Sequence, residues 1–355
     1  MRLVTEATHQ QPLTSPGAMH GTGGVAQVLG LLYKTDSRYE MSYRRVNAKL
    51  AEQVLAHPTC RASAGVANGD FDAISGAAGI LVYLISVPKP QMLVVQAIEE
   101  LLHALIWFGM GANEPERWIV PPELMPFEGD RESFPNGIVN LGLAHGVPGP
   151  LAALSLAWLL GYRVEGQDAA IAAMSNWLES HYLLDPWGIN WPTFVPAEYL
   201  LSRQKWTTLQ PARAGWCYGA PGVARSLWLA GEALGDLPLQ RMAIASLESV
   251  LSRPIEVRSL DSPTLCHGVS GLLVICLRFL QDSESHLIRE RIPLLVEQIL
   301  AACSTEYRFV VRDHRPQEEV VDCPGFLAGA AGVALALLAA AAPVEPTWDR
   351  ALLIA

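Results

Sequence analysis

The sequence predicts an all-α chain whose helical pairs either stack or close into a ring. Three observations carry this. Gly-x-x-Gly recurs at Gly21/Gly24, Gly76/Gly79, Gly146/Gly149, Gly219/Gly222, Gly268/Gly271 and Gly329/Gly332, at intervals of 49 to 73 residues. Each motif opens a run rich in Ala, Leu and Val with no polar face, and a half-polar helix follows each of the first five. A helix that is apolar all round must be buried, and one repeat cannot bury it alone.

In chain order, the apolar runs are Val25–Tyr33, Ala77–Ile85, Leu151–Gly161, Val223–Leu234, Leu272–Leu280 and Val333–Ala341. The amphipathic partners are Met41–Ala56, Gln91–Phe108, Gly166–His181, Leu237–Leu251 and Glu284–Ala302, with a short sixth at Trp348–Ile354. In the first partner, Asn47, Lys49, Glu52 and Gln53 form one face and apolar residues at helical spacing form the other. Trp118-Ile119-Val120 is expected as a short strand. Residues 1–20 read as an N-terminal segment and 21–355 as one repeat domain. Two long connections, Gly109–Val139 and Leu183–Arg213, each end just before a motif and are expected on the motif rim. Phe326–Val344 is 19 residues without a charge, long enough to raise a membrane span. Its Ala/Gly content and its motif mark it instead as an inner helix, so no membrane span is expected.

Composition narrows the function classes. Of 355 residues half are apolar and 17% are charged, with a net charge of −10. There is no Lys/Arg run of five, so nucleic acid and anionic membrane are excluded as main partners. Met1–Met19 has no apolar core and does not read as a secretory signal. The six cysteines include no C-x-x-C. A reduced, cytoplasmic chain is the expectation.

If the repeats are equivalent, the residues just before each motif share one rim. The position before the first glycine holds His20, Ser75, His145, Tyr218, His267 and Ala328; the one before that holds Met19, Ile74, Ala144, Cys217, Cys266 and Leu327. Cys217, Cys266 and His267 are therefore gathered by the repeat and fit the Cys₂His set of a catalytic zinc with a fourth position open. Buried structural cysteine is the competing reading. Cys276 and Cys303 fall inside helical patterns and read as core, while Cys60 and Cys323 are unassigned. Asp72, His145, Arg213 and Tyr218 would ring the metal; an imidazole can move protons and a carboxylate can orient it. His20 reads as a cap or core group.

These residues resemble the lanthionine synthetase C-like family. Asp72-Ala-Ile-Ser-Gly-Ala-Ala-Gly is similar to its aspartate motif, and Ala144-His145-Gly-Val-Pro-Gly to its histidine motif. Trp216-Cys-Tyr-Gly-Ala-Pro-Gly and Leu265-Cys-His-Gly resemble its two metal motifs, and Phe326-Leu-Ala-Gly-Ala-Ala-Gly-Val its last repeat. The resemblance implies an α/α toroid with one zinc held by Cys217, Cys266 and His267. It implies catalytic roles for Asp72, His145 and Arg213, with Tyr218 beside the first metal cysteine. The implied reaction adds a cysteine thiol of a dehydrated precursor peptide to dehydroalanine or dehydrobutyrine, forming (methyl)lanthionine rings. A separate dehydratase is an implied partner, because no dehydratase-like region is present. Six repeats are counted, against the seven layers usual in the family. Two alternatives accompany this reading: addition of glutathione or another thiol to dehydroamino acids in proteins, and a non-catalytic precursor scaffold. A glycosidase on the same fold would need paired carboxylates near the axis, and among the positions just before the motifs only Asp72 supplies one.

Overall fold

Each Gly-x-x-Gly lies at the head of an apolar helix, where small residues let neighbouring backbones approach. The computed structural model describes residues 12–56, 65–112, 114–126, 128–201, 209–314, 320–342 and 345–355. Among them, eleven helices reach eight residues or more: α1 Thr22–Thr35 and α2 Glu40–Ala56, α3 Ala77–Leu84 and α4 Met92–Gly109, α5 Pro148–Leu159 and α6 Gln167–Ser180, α7 Ala220–Leu234 and α8 Leu237–Ser252, α9 Val269–Asp282 and α10 His286–Ala301, then α11 Ala330–Ala341. Odd-numbered helices pack in series as an inner layer, α1 on α3 and so on to α11, and even-numbered helices lie outside them. The fold is an α/α toroid. Every residue of α3 is buried, as is α7 from Ala220 to Gly231. Cys276 in α9 is fully buried, which pushes its thiol up to about 12, and it is a core residue as expected.

The inner helices are tied to one another at their N-termini. The Met19 N–H donates to the Ile74 carbonyl (2.9 Å), Ala73 to Ala144 (3.0 Å), Ala144 to Cys217 (3.2 Å), Cys217 to Cys266 (3.0 Å) and Cys266 to Leu327 (2.9 Å). These five backbone hydrogen bonds run along the rim and link all six motifs. The second glycine of each motif makes room for them. A Cβ on Gly271 would stand 3.0 Å from the Cβ of Trp216 and overlap the Leu265 carbonyl; on Gly222 it would stand 2.8 Å from the Cβ of Leu143.

The series has one unlaced joint. Among the described residues no such bond joins the sixth motif to the first. Between α1 and α11 lies a groove of about 820 Å³ lined by Gln27, Val28 and Leu31 on one side and Phe326, Leu335 and Trp348 on the other. Val28 is 51% exposed, Leu31 46% and Leu338 61%. Only Gly332, Val333 and Ala336 of α11 are buried. The expectation of a wholly buried last inner helix is thus corrected: α11 packs on α9 and on the outer helix α10, and its flank toward α1 stays open.

The short sixth partner also departs from its expected outer position. Asp349–Leu352 is a 3₁₀ turn packed on α3. Leu352, Leu353 and Ile354 are 0% exposed, and their carbonyls are taken from the other side of the ring by Trp216 Nε1–H (to Leu352, 2.8 Å) and Arg225 Nε–H (to Ile354, 2.7 Å). The tail therefore turns inward, bonded to Arg225 of α7 and packed on α3. Arg278 holds it by a two-pronged pair with buried Asp349, 2.6 and 2.7 Å. Fork-to-fork pairing and full hydrogen bonding are what make a buried ion pair tolerable.

The two long connections meet each other. Strand β1 (Ile138–Asn140) pairs antiparallel with the strand Phe194–Pro196 in the register Ile138↔Pro196, Val139↔Val195, Asn140↔Phe194. The strand expected at Trp118–Val120 is reduced to a single bridge, Val120↔Ile138, preceded by a 3₁₀ turn at Pro115–Trp118. Helix α4 is long and apolar enough, by length and composition, to cross a membrane; here half of it is buried against its neighbours.

The seating of one repeat on the next gives a stability test. Gly271→Ala is expected to cost about 1–3 kcal/mol by overpacking. Gly129, around which a Cβ meets nothing within 4 Å, serves as the control, and Gly129→Ala should move stability by less than about 0.5 kcal/mol. Urea unfolding midpoints of the two variants measure the difference.

Candidate active site

The laced rim brings the expected residues of motifs two to five together. Asp72 precedes α3 and is 2% exposed. Its Oδ1 accepts three backbone N–H groups of its own loop, from Ile74 (3.0 Å), Ser75 (2.7 Å) and Gly76 (2.8 Å). Burying a carboxylate is costly unless it is hydrogen-bonded, and these bonds also fix its orientation. The Oδ2 atom then faces the next motif, where His145 Nδ1 lies 2.6 Å away. A carboxylate only accepts, so Nδ1 carries the hydrogen and Nε2 is left for other chemistry. The His145 side chain is 34% exposed against 3% for Asp72, so the pair opens to solvent on the imidazole side.

Tyr218 stands beside this pair, its ring centroid 6.4 Å from that of His145. Asn140, from β1, donates from Nδ2 to the Tyr218 hydroxyl (3.3 Å) while its Oδ1 accepts the Gly142 N–H (2.9 Å). Burial pushes the phenol upward, with Cys217, Cys266 and Asp72 adding to the shift, so the hydroxyl remains protonated and able to donate. Asn140 is absent from the expectations above. It precedes its motif by six residues, the same offset as Arg213, so a signal for it existed.

Cys217 and Cys266 meet through a hydrogen bond between their thiols. That bond, then the nearby Arg213 charge, draw Cys217 down against its burial; Cys266 is held up as the partner that keeps its proton. The two thiols therefore titrate as one coupled pair. Arg213 is half-buried and makes no ion pair among the described residues. Its backbone is pinned: the Gly219 Cβ position, at φ +88°, would overlap the Arg213 carbonyl, so only glycine serves there.

His267 also meets the Cys266 thiol. Its Nε2 lies 2.8 Å from Oδ1 of Asp313, a residue the sequence reading did not single out. Asp313 first, then Cys266, hold the imidazole up to about 9. Cys266 thus meets both Cys217 and His267, yet among the described residues no three His, Cys, Asp or Glu side chains stand in metal-holding geometry. The thiols are bonded to each other and Nε2 is turned to Asp313. Two thiols and an imidazole nonetheless form a donor set whose chemistry suits zinc. Ser75 joins this cluster through its backbone N–H alone, and His20 is exposed. Cys303 and Cys323 lie outside it, half-buried, bonded to the Ile299 carbonyl and the Gly325 N–H. Cys60 falls outside the described residues.

Comparison with known proteins identifies the family. The profile for "Lanthionine synthetase C-like protein" matches residues 3–353. The chain belongs to this family. A relative, nisin biosynthesis protein NisC of Lactococcus lactis subsp. lactis, is 26% identical over 342 residues, 94% of this chain and 76% of the relative. The solved structure of nisin cyclase superposes with a TM-score of 0.81 at 23% identity, covering 99% of this chain and 83% of that one. The toroid is therefore the family fold, in a chain shorter than either relative.

The Asp72 bonds predict a graded response. Asp72→Ala unties three backbone N–H groups as well as His145 and should lower stability by roughly 3 kcal/mol or more. His145→Ala leaves the loop bonds in place and should cost less than about 1.5 kcal/mol. Denaturant titration of both variants separates an orienting carboxylate from one that also holds its loop.

Proposed function

We propose that this chain is a zinc-dependent lanthionine cyclase. It would add cysteine thiols of a dehydrated precursor peptide to dehydroalanine or dehydrobutyrine, closing thioether rings. The observation that carries the reading is the Asp72–His145 pair, with the imidazole opening to solvent on the same rim as the Cys217 and Cys266 thiols. A cyclase needs both halves: a place to activate a thiol and a group to move a proton. NisC and nisin cyclase, by their names, serve nisin biosynthesis, and family membership supports the same class of substrate here.

Cys217, Cys266 and His267 would hold the metal. When bound, zinc would lower the pKa of an incoming thiol, ordinarily about 8.5, and favour its thiolate. The chain's own residues supply the rest. His145 Nε2 takes up the proton that the substrate thiol gives up and delivers it to the α-carbon after sulfur has bonded to the β-carbon, so the addition is neutral overall. Asp72 fixes the imidazole so that Nε2 is the atom presented. Arg213 offers a cation to the negative charge developing on the substrate carbonyl. Tyr218, kept protonated and held by Asn140, is a neutral donor at the same edge. A separate dehydratase would supply the alkene, and a cytoplasmic setting would keep both thiols reduced.

Metal content and ring closure test this separately. Purified wild-type protein should carry about one zinc per chain, and Cys217→Ala should lose it. His145→Ala should keep zinc and slow ring closure roughly 10²- to 10⁴-fold. Ring closure conserves peptide mass, so it is followed as loss of alkylatable thiol. Normal-rate cyclisation by His145→Ala would sink the proton-transfer role.

A further inference from the structure

Asp313 arrives from outside the repeat register. It lies in the connection between α10 and α11, on a two-residue strand (Asp313–His314) paired with Val320–Val321. It is 1% exposed, and its Oδ1 gathers three partners: Ser262 Oγ–H (2.8 Å), Thr264 Oγ1–H (3.3 Å) and His267 Nε2 (2.8 Å). Ser262 and Thr264 are themselves 2% and 0% exposed and lie 2.9 Å apart. The two hydroxyls fix the carboxylate as three backbone N–H groups fix Asp72. The result is a second Asp–His pair on the same rim, in opposite register. Asp72 holds His145 through Nδ1 and leaves Nε2; Asp313 holds His267 through Nε2 and leaves Nδ1.

That register bears on ligation. An imidazole that binds a metal offers one lone pair, and the hydrogen on its other nitrogen goes to an outer acceptor, which fixes tautomer and ring orientation. With Nε2–H donated to Asp313, the lone pair of His267 is on Nδ1. We propose that Asp313 is a positioning residue for the metal site: it sets the His267 tautomer so that Nδ1, and not Nε2, joins the two thiols as the third donor. This rests on the zinc reading above. It adds to that reading a named nitrogen and a buried anion in contact with the ligand histidine. The rival account is purely structural: Asp313 would only tie the α10–α11 connection to the loop that carries Ser262 and Thr264.

The experiment uses the full chain and zinc alone, without peptide. Zinc affinity is measured by chelator competition at one fixed pH for wild type, Asp313→Asn, Asp313→Ala and Ser262→Ala, with folding checked by circular dichroism. Asp313→Ala should weaken zinc binding about 10- to 100-fold. Asp313→Asn, which keeps an acceptor but not the charge, should fall between it and wild type. Ser262→Ala loosens the tie between the two loops but keeps the His267 contact, and should bind zinc within about 3-fold of wild type. Because Asp313→Ala could fail to fold, the wild type is also read directly. Histidine ¹⁵N spectra of zinc-loaded protein should find His267 metallated at Nδ1 and protonated at Nε2. Metallation at Nε2, or unchanged affinity in folded Asp313 variants while wild type binds zinc, overturns the proposal and leaves the zinc reading standing. A wild type that binds no zinc overturns the zinc reading itself and this inference with it.

Discussion

The rim of backbone hydrogen bonds is the constraint on which the rest depends. Each is an ordinary N–H to carbonyl bond, made between residues 49 to 73 positions apart and never within one helix. Together they fix the height and rotation of each inner helix against the next. Side chains at one register, scattered across nearly two hundred residues from Asp72 to His267, are thereby delivered to a common edge. Two site cysteines are themselves links: Cys217 both accepts from Ala144 and donates to Cys266, and Cys266 donates onward to Leu327. Their thiols meet because their backbones are already bonded.

The site is a set of polar groups each held in one orientation before any ligand arrives. Buried Asp72 and Asp313 each accept from local donors, and each also holds one histidine. In water such pairs would exchange partners freely; inside a low-dielectric rim, re-pairing leaves a charge unsatisfied. Preorganisation here follows from burial and bookkeeping of donors more than from the strength of any single contact.

Much of this was legible in the sequence, for identifiable reasons. The six Gly-x-x-Gly runs mark the inner helices because an apolar-all-round helix has one place to go, and the observed starts fall within a turn of the expected ones. Cys217, Cys266, His267, His145 and Asp72 were legible because repeat register places them on one rim. Asp313 was not, since it sits in no register and reaches His267 through a two-residue strand too short to leave a periodic trace. The three-residue strands joining the long connections were hidden for the same reason. The inward course of Leu352–Ile354 was masked by its apolar pattern, which an outer helix would share. The exposed flank of α11 was missed because composition reports how apolar a helix is and not how many neighbours it finds.

Among the described residues, the joint between α1 and α11 gives the toroid the layout of a split washer: five laced joints and one that is not. Asp72, His145, Cys217 and His267 belong to the four motifs farthest along the lacing from the split, with a bonded neighbour on either side of each. The open joint and the chemistry therefore sit on opposite arcs of the same ring.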